Sequence, residues 1–362
     1  MTSLEIVFIG LSVTSSWGNG HATNYRALMR ALEEQGHRVT FLERDMPWYA
    51  EQRDLPDPPW GETFLYDSVT ELRRNHLGRI RAADVVIVGS YVPEGAQVGE
   101  LVCDEATGVK AFYDIDTPVT LAKLEAGDRE YLARDLVPRY DLYLSFTGGP
   151  TLERIEKTYG APRAEAFYCV VDPDLHFPEE AEVRWDLGYL GTYSDDRQPA
   201  VDELLVRVAG STPRRRFVVA GPQYPPSILW PSNVERIEHL PPERHRRFYN
   251  AQRFTLNVTR AEMVRAGYSP SVRLFEAAAC GVPVISDWWT GIDDVFVIGS
   301  EILVAKSADQ VKAYLEDVGE EERCAIGNRA RERVLKSHTA EKRARRLVAL
   351  VLNDPLGTRQ AV

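Results

Sequence analysis

The sequence around residues 269–276 combines residue types that bind an anion and a diol. Ser269 is a good N-cap and Pro270 fits a first helical turn, so the sequence predicts a helix that begins at Ser269. The free N–H groups at such a start attract anions, and the guanidinium of Arg273 is suited to phosphate. Glu276 follows three residues later, on about the same helix face, where its carboxylate can accept from two vicinal hydroxyls. This pattern predicts a site for an anionic ligand that also carries a diol.

The same residues also fit an ordinary scaffold. The apolar run 274–279 carries the helix, Gly281 ends it, and Pro283 prevents its continuation. A capped amphipathic helix that leads into a buried strand is common in α/β proteins. Arg273 and Glu276 can also form a surface ion pair that contributes little to stability. Both interpretations remain open from the pattern alone.

Polar residues also follow two strands in the first half of the chain. A loop rich in small residues follows the predicted strand Leu4–Ile9 and ends at His21. Its glycines do not form the G-x-G-x-x-G pattern of dinucleotide-binding proteins. Asp114 and Asp116 follow the predicted strand 109–113, and the carboxyl ends of parallel strands are where α/β proteins bind ligands. Either aspartate can instead cap the turn before the next helix.

The elements that position these residues form two α/β sets. Strand, loop and helix alternate in the order that builds parallel sheets, first up to about residue 180 and again after it. The segment 172–178 breaks this periodicity. We therefore predict an α/β fold with two Rossmann-like domains, 1–180 and 181–338, followed by a helical C-terminal segment, 339–362. A cleft between two such domains is a favoured site for a small ligand.

Composition and charge exclude several other classes of protein. The 362 residues include 43 basic and 54 acidic side chains, and the net charge of −11 disfavours general binding to nucleic acids or anionic membranes. The four cysteines are far apart and match no metal or redox spacing, which favours a reducing compartment. No apolar run has the length of a membrane span, and no leader pattern precedes the first strand. We expect a soluble cytoplasmic protein without a metal site.

The stretch from Ser269 to Asp287 resembles a known motif. It reads Ser-Pro-Ser-Val-Arg-Leu-Phe-Glu-Ala-Ala-Ala-Cys-Gly-Val-Pro-Val-Ile-Ser-Asp. Together with the two α/β domains it is similar to the GT-B glycosyltransferases, and most of all to the CgeB-like branch of the "glycosyl transferases group 1" proteins. Asn257–Arg260, Tyr113–Pro118 and Glu301 are similar to the same branch. The resemblance covers most of the chain, and its specific part is the motif in the second half.

The resemblance implies a nucleotide-diphosphate sugar as donor, with UDP as the default nucleotide and no metal, held mainly by the second domain. The ribose hydroxyls would contact Glu276, the diphosphate would meet the backbone of residues 269–272, and the C-terminal helix would cross back onto the first domain. The donor-binding residues expected on this basis are Arg197, His239, Leu240, Arg260, Ser269, Pro270, Ser271, Val272, Arg273 and Glu276.

One departure limits what the resemblance implies about mechanism. Many retaining members carry Glu-x7-Glu, but Tyr268 occupies the place of the first glutamate, so the stereochemistry is left open. For an inverting reaction His21 is the predicted general base, because inverting relatives often have a histidine in that loop. Asp116 is the second candidate, or the group that orients the base. The predicted contacts to the sugar or acceptor are Gly18, Asn19, Gly20, Asp114, Asp287 and Trp288.

We therefore predict a hexosyltransferase-type enzyme that moves a sugar from a nucleotide-diphosphate sugar to a small-molecule or glycan acceptor. The alternatives are a GT-B-type nucleotide-sugar epimerase and a non-catalytic nucleotide-sugar-binding protein. An epimerase would act on the donor without an acceptor, which separates it from a transferase. The base, the sugar, the acceptor and the oligomeric state, a homodimer included, are left open by the sequence.

Overall fold

A computed structural model describes residues 3–18 and 20–353 and divides the chain into two compact units. The first unit is formed by the chain up to Val170 together with the residues from Ala340 onward. The second unit is formed by Val171–Thr339. Among the described residues, no helix is both long enough and apolar enough to cross a membrane.

The segment 171–180 belongs to the second unit, although the sequence pattern places it in the first domain. The N–H of Val171 donates to the carbonyl of His338 at 3.1 Å. Further along, the carbonyl of Phe177 accepts from Asn250 Nδ2 at 3.1 Å. The periodicity of the sequence could not predict these contacts, because they join residues that are far apart in the chain.

The first unit is built on a seven-stranded parallel sheet. Its strands are β1 (Glu5–Gly10), β2 (Arg38–Arg44), β3 (Glu62–Tyr66), β4 (Val85–Gly89), β5 (Val109–Asp114), β6 (Leu142–Ser145) and β7 (Ala164–Ala166). The helices are α1 (Gly20–Glu34), α2 (Pro47–Ala50), α3 (Val69–Ala82), α4 (Gly95–Glu105), α5 (Thr117–Glu125) and α6 (Pro150–Tyr159). The spatial order β3-β2-β1-β4-β5-β6-β7 reverses between β1 and β4. Parallel sheets bind ligands at the carboxyl ends of the strands beside such a reversal.

The second unit is built on a six-stranded parallel sheet. Its strands are β8 (Trp185–Leu190), β9 (Phe217–Ala220), β10 (Val234–Ile237), β11 (Gln252–Asn257), β12 (Val284–Ser286) and β13 (Leu303–Val304). The helices are α7 (Gln198–Val201), α8 (Arg207–Ser211), α9 (His245–Asn250), α10 (Ala261–Ala266), α11 (Val272–Ala279), α12 (Ile292–Val295), α13 (Ala308–Asp317) and α14 (Glu320–Ser337), with a π-helical turn at Asp202–Val206. The order β10-β9-β8-β11-β12-β13 reverses between β8 and β11, as in a Rossmann fold.

The central strands and α11 form the cores of the two units. All residues of β4 and of β9 are buried, as expected when helices cover both faces of a parallel sheet. In α11 the buried residues include Leu274, Phe275 and the alanines that follow. A Cβ atom at Gly327 of α14 would lie 2.1 Å from the Gly281 carbonyl oxygen, so only glycine allows this close approach.

The last described helix, α15 (Ala340–Val351), packs against α1 of the first unit. Its Leu347 is fully buried, and Arg346 Nη2 lies 2.9 Å from Glu165 Oε2. This confirms the predicted return of the C-terminal helix to the first domain. Residues 354–362 of the predicted C-terminal segment lie outside the described residues.

Candidate functional site

Arg273 connects the two strand ends at the reversal of the second sheet. It is the second residue of α11, and its Nε donates to the carbonyl of Leu190 at the end of β8. Its Nη1 donates to Asn257 Oδ1, at the end of β11, at 2.9 Å. The guanidinium carbon lies 5.2 Å from the centre of the Tyr189 ring. A positive charge is therefore fixed at the point where such sheets bind ligands.

Two further guanidinium groups lie within electrostatic range of Arg273. Arg197 Nη2 donates to the Thr192 carbonyl at 2.7 Å, while its Nε is buried without a hydrogen-bond partner among the described residues. Burial lowers the pKa of Arg197, and the positive charges of Arg273 and Arg260 add to the lowering. Arg260 Nε lies 3.9 Å from Asp196 Oδ2. The cluster is electropositive, and a bound anion would relieve its repulsion.

Helix α11 begins later than the sequence pattern predicts. Its N-cap is Ser271 and its first residue is Val272. Ser269 is buried, and its hydroxyl donates to the Gly267 carbonyl at 2.8 Å, so the predicted N-cap role of Ser269 is wrong. The cause is a bend, because Gly267 (φ 68°) and Tyr268 (φ 47°) both adopt left-handed backbone.

The start of α11 has no capping hydrogen bond from its N-cap side chain. The side chain of Ser271 does not accept from the first N–H groups of the helix, and the N–H of Leu274 donates to the Ser271 carbonyl at 3.0 Å. The preceding Pro270 is buried and offers no N–H. The positive end of the helix dipole and the guanidinium of Arg273 therefore belong to one helical turn. Such a turn is suited to a diphosphate.

Glu276 is enclosed by a tyrosine and two histidines. The hydroxyl of Tyr249 donates to Glu276 Oε2 at 3.0 Å, His245 Nδ1 lies 3.8 Å from Oε2, and His176 Nε2 lies 3.9 Å from Oε1. Burial alone would raise the pKa of Glu276, but the interactions with His176, His245 and Tyr249 outweigh it and lower this pKa to about 2. Glu276 is therefore an ionised carboxylate, and in this state it can accept hydrogen bonds from hydroxyl groups.

The three residues around Glu276 were not predicted from the sequence. His176 lies in the aperiodic segment 172–178, and His245 and Tyr249 lie on one face of α9 at i, i+4 spacing. That spacing was the one available signal. It did not connect α9 to α11, which lies further along the chain.

His239 and Leu240 lie in the loop after β10. The side chain of His239 is exposed. The carbonyl of Leu240 accepts from His245 Nε2 at 3.2 Å, so the structure brings Leu240 close to the surroundings of Glu276. In the same region the guanidinium carbon of Arg236 lies 4.2 Å from the centre of the Tyr224 ring, a stacked pair that the sequence did not predict.

Asp287 and Trp288 follow β12. Asp287 Oδ2 accepts from the Thr259 N–H at 3.0 Å and Oδ1 accepts from the Thr259 hydroxyl at 2.8 Å. Burial raises the pKa of Asp287. Its carboxylate therefore connects the loops after β11 and β12. The side chain of Trp288 is 47% exposed, and Lys306 Nζ lies 5.3 Å from the centre of its ring.

In the first unit, His21 and Asp116 contact the same tyrosine. His21 lies in the first turn of α1, and its ring meets the Tyr91 ring edge to face with centroids 5.6 Å apart. The Tyr91 hydroxyl donates to Asp116 Oδ2 at 2.8 Å. Burial lowers the pKa of His21 to about 4, so its imidazole is neutral at pH 7. A neutral imidazole can accept a proton, as a general base must.

Asp114 stabilises the turn that carries Asp116. It is fully buried and accepts from the Tyr143 hydroxyl at 2.6 Å, the Thr120 hydroxyl at 2.7 Å and the Asp116 N–H at 3.2 Å. Burial raises the pKa of Asp114 to about 6, and these hydrogen bonds limit the rise. Its contacts in the structure are internal, and they fix the turn that carries Asp116.

The loop between β1 and α1 is held by Glu43, a residue of β2. Glu43 is fully buried at the end of β2. Its carboxylate accepts from the Ser12 hydroxyl, the Val13 N–H, and the N–H and hydroxyl of Thr14, at 2.6 to 3.0 Å. These hydrogen bonds fix the path of the chain toward His21.

The predicted glycine contacts lie at the end of this loop. Gly18 adopts left-handed backbone with φ 59°, and Gly20 is the first residue of α1. Asn19 lies outside the described residues. The two described glycines therefore lie one and three residues before His21 in the chain.

Known proteins resemble this chain in one stretch of sequence and in fold. Residues 197–349 match the family model described as glycosyl transferase-like. No curated protein matches significantly. Similar solved structures include a sucrose-phosphate synthase from Thermosynechococcus elongatus, at 14% identity and a TM-score of 0.67, with 96% of this chain and 98% of that chain covered. They also include Anabaena HepE in complex with UDP and glucose, at 12% identity and a TM-score of 0.68, with 97% and 100% covered.

A third similar structure is AviGT4, a glycosyltransferase involved in avilamycin A biosynthesis, at 15% identity and a TM-score of 0.58, with 98% of each chain covered. With two Rossmann-like parallel-sheet units, the chain has the GT-B fold, as predicted. The stretch that matches the glycosyl transferase-like model contains Arg197, Arg260, Arg273 and Glu276.

Proposed function

We propose that the protein is a metal-independent glycosyltransferase of the CgeB-like branch, which moves a sugar from a UDP-sugar to a small-molecule or glycan acceptor in the cytoplasm. The observation that carries this proposal is the electropositive cluster beside the start of α11. Neither Arg197 nor Arg273 forms an ion pair among the described residues, and Arg197 Nε has no partner there. A site with this excess of half-buried positive charge suits a nucleoside diphosphate.

The diphosphate is both the anchor of the donor and the leaving group. As the glycosidic bond breaks, negative charge grows on the β-phosphate, and fixed donors that are already oriented stabilise it without reorganisation. Arg273 is held in place by the Leu190 carbonyl and Asn257, and the first N–H groups of α11 point outward from the helix start. These groups take the part that a divalent cation plays in other transferases.

The nucleoside contacts Glu276, His239 and Leu240 of the same unit. Glu276 is ionised and accepts the ribose hydroxyls, and the base lies near His239 and Leu240. UDP is the favoured nucleotide because HepE, which shares the fold, was solved in complex with UDP and glucose. Trp288 offers an exposed aromatic face to a sugar.

His21 acts as the general base of an inverting transfer. It removes the proton of the acceptor hydroxyl while the sugar carbon is attacked, and the proton then resides on the imidazole. Asp116 assists through Tyr91, whose hydroxyl it holds at 2.8 Å and whose ring contacts His21. The transferred group in this proposal is a hexosyl group, and the acceptor lies near Gly18 and Gly20.

Calorimetry with UDP, TDP and GDP tests the donor assignment. We expect UDP to bind the wild-type protein, and Arg260→Gln to raise its Kd about 10-fold, because a charge-assisted hydrogen bond is lost. Arg265→Gln is the matched control. Arg265 lies on the adjoining helix, its side chain is 73% exposed, and it pairs with Glu262, so its loss should leave the Kd unchanged. Absence of binding by all three nucleotides would refute the proposal.

Incubation with a panel of UDP-sugars, with and without acceptors, then tests the reaction. Transfer that depends on an acceptor supports a glycosyltransferase. Formation of an epimer without acceptor identifies a GT-B-type epimerase instead. Binding of nucleotide with neither product identifies a non-catalytic binding protein.

A further inference from the structure

We propose that His176, His245 and Glu276 form a binding site for a divalent transition-metal ion of the Zn²⁺ class. One nitrogen of each histidine and one carboxylate oxygen of Glu276 all lie within 4.8 Å of one another, and the nitrogens that face the carboxylate are His176 Nε2 and His245 Nδ1. All three residues belong to the second unit. Two imidazoles and one carboxylate are a donor set that Zn²⁺ uses in proteins, with a fourth position left open.

The distances suit ligands of a shared ion better than direct hydrogen bonds. His176 Nε2 is 3.9 Å from Glu276 Oε1, and His245 Nδ1 is 3.8 Å from Oε2. A hydrogen bond between nitrogen and oxygen spans about 2.7–3.2 Å, so both gaps are too long. Two ligand atoms on a tetrahedral Zn²⁺ at about 2.1 Å lie about 3.4 Å apart. Both imidazole-to-carboxylate separations therefore exceed this value by about 0.5 Å or less.

The hydrogen bond of His245 directs its other nitrogen at the centre of the cluster. His245 Nε2 lies 3.2 Å from the Leu240 carbonyl, and a carbonyl only accepts, so Nε2 carries the proton. A metal ion binds only the neutral ring, in which Nδ1 presents a lone pair toward Glu276 Oε2. A carbonyl that holds the distal nitrogen of a metal-binding histidine is the usual support of such a ligand.

The surroundings of the cluster also fit a metal. His176 is 6% exposed and Glu276 is 7% exposed, so water competes weakly for these ligands. The Tyr249 hydroxyl orients the carboxylate from outside the ligand set, at 3.0 Å from Oε2. The His245 side chain is 19% exposed and leaves a route for the ion.

Glu276 is both a ligand of the proposed metal ion and the proposed contact of the ribose of the donor. The ribose contact rests on the proposed function, whereas the ion needs only the three side chains. Binding of metal in the absence of nucleotide therefore tests the site separately from glycosyl transfer. Failure of the metal site would leave the diphosphate cluster at Arg197 and Arg273 untouched.

Titration of the metal-free full-length protein with Co²⁺ and Zn²⁺ tests the inference. We expect one Co²⁺ per chain with the intense visible absorption of a tetrahedral ion, displaced by Zn²⁺ in calorimetry. His176→Gln and His245→Gln should each weaken Zn²⁺ binding about 100-fold or more. Tyr249→Phe keeps the ligands but removes the support of the carboxylate, and should weaken binding about 10-fold. Circular dichroism checks that each variant is folded.

His76→Gln is the matched control. His76 is a buried histidine of the first unit, far from this ligand set in the chain, and its loss should leave the affinity unchanged. Absence of the tetrahedral Co²⁺ spectrum in the wild-type protein would overturn the proposal. So would a Zn²⁺ affinity equal to wild type in both folded ligand variants, since the ion would then bind elsewhere.

Discussion

Replacement of Arg197 by methionine should stabilise the protein without ligand while it impairs donor binding. Arg197 is half-buried near two other guanidinium groups, its Nε is buried without a hydrogen-bond partner among the described residues, and its Nη2 donates to the Thr192 carbonyl. Methionine retains the apolar stem and removes the charge. A residue with a purely structural role would behave in the opposite way, since its loss would lower stability.

The magnitude follows from the contacts. A buried donor without a partner costs about 1–3 kcal/mol, and the hydrogen bond to the exposed Thr192 returns about 0.5–1.5 kcal/mol. The net gain in the free energy of unfolding is therefore about 1 kcal/mol, or about 2–4 °C in the Tm of a unit of this size. Loss of a charged hydrogen bond to the diphosphate costs about 1.5–3 kcal/mol, so the Kd for UDP should rise about 10- to 150-fold.

Differential scanning calorimetry without nucleotide and isothermal titration with UDP measure the two effects. Arg323→Met is the control, because Arg323 pairs with Glu320 and donates to the Arg253 carbonyl at 3.2 Å in the same unit. Its loss should lower the Tm and leave the Kd for UDP unchanged. A fall in Tm with an unchanged Kd for Arg197→Met would refute the assignment of Arg197 to the donor site.

Three further predictions concern the first unit. His21→Gln should lower kcat about 100-fold or more with little change in the Kd for UDP, measured by steady-state kinetics and calorimetry, and full kcat would remove His21 as the base. The folded pKa of His21 is about 4 against an ordinary 6.5, so its contribution to stability is present above pH 6.5 and is lost as pH falls toward 4. When the pH is lowered from 7.5 to 4.5, the free energy of unfolding measured with urea should therefore fall by about 2 kcal/mol less in His21→Gln than in the wild-type protein. An equal fall in both proteins would contradict this prediction. Leu347→Ala should destabilise the first unit by about 2–5 kcal/mol, because Leu347 is fully buried on α15, whereas Arg345→Ala should have little effect in the same assay, because that side chain on the same helix is 61% exposed.

The sequence predicted the fold well because local signals determine most of it. Apolar runs such as Val85–Gly89 and the alternation of strand and helix require a parallel sheet covered on both faces. The start of α11 was misplaced for an equally local reason. Ser269 has the side chain of an N-cap, but the left-handed backbone at Gly267 and Tyr268 turns its hydroxyl back to the Gly267 carbonyl.

The site was predictable only where its residues are close in the chain. The spacing of Arg273 and Glu276 is a property of one helix, so the sequence could suggest a shared role. His176 and His245 reach Glu276 from other elements, and their positions depend on how α9 and the segment 171–180 pack on α11. Glu43 likewise supports the loop before His21 through hydrogen bonds that no period of the sequence reveals.

Hydrogen exchange with and without UDP tests most directly whether the donor diphosphate binds at the start of α11. UDP should slow exchange of the backbone amides in the peptide that spans residues 269–276, which contains the helix start that the Ser271 side chain does not cap. Exchange in α14 should stay unchanged. Bound UDP that leaves the peptide 269–276 unprotected would contradict the proposed site.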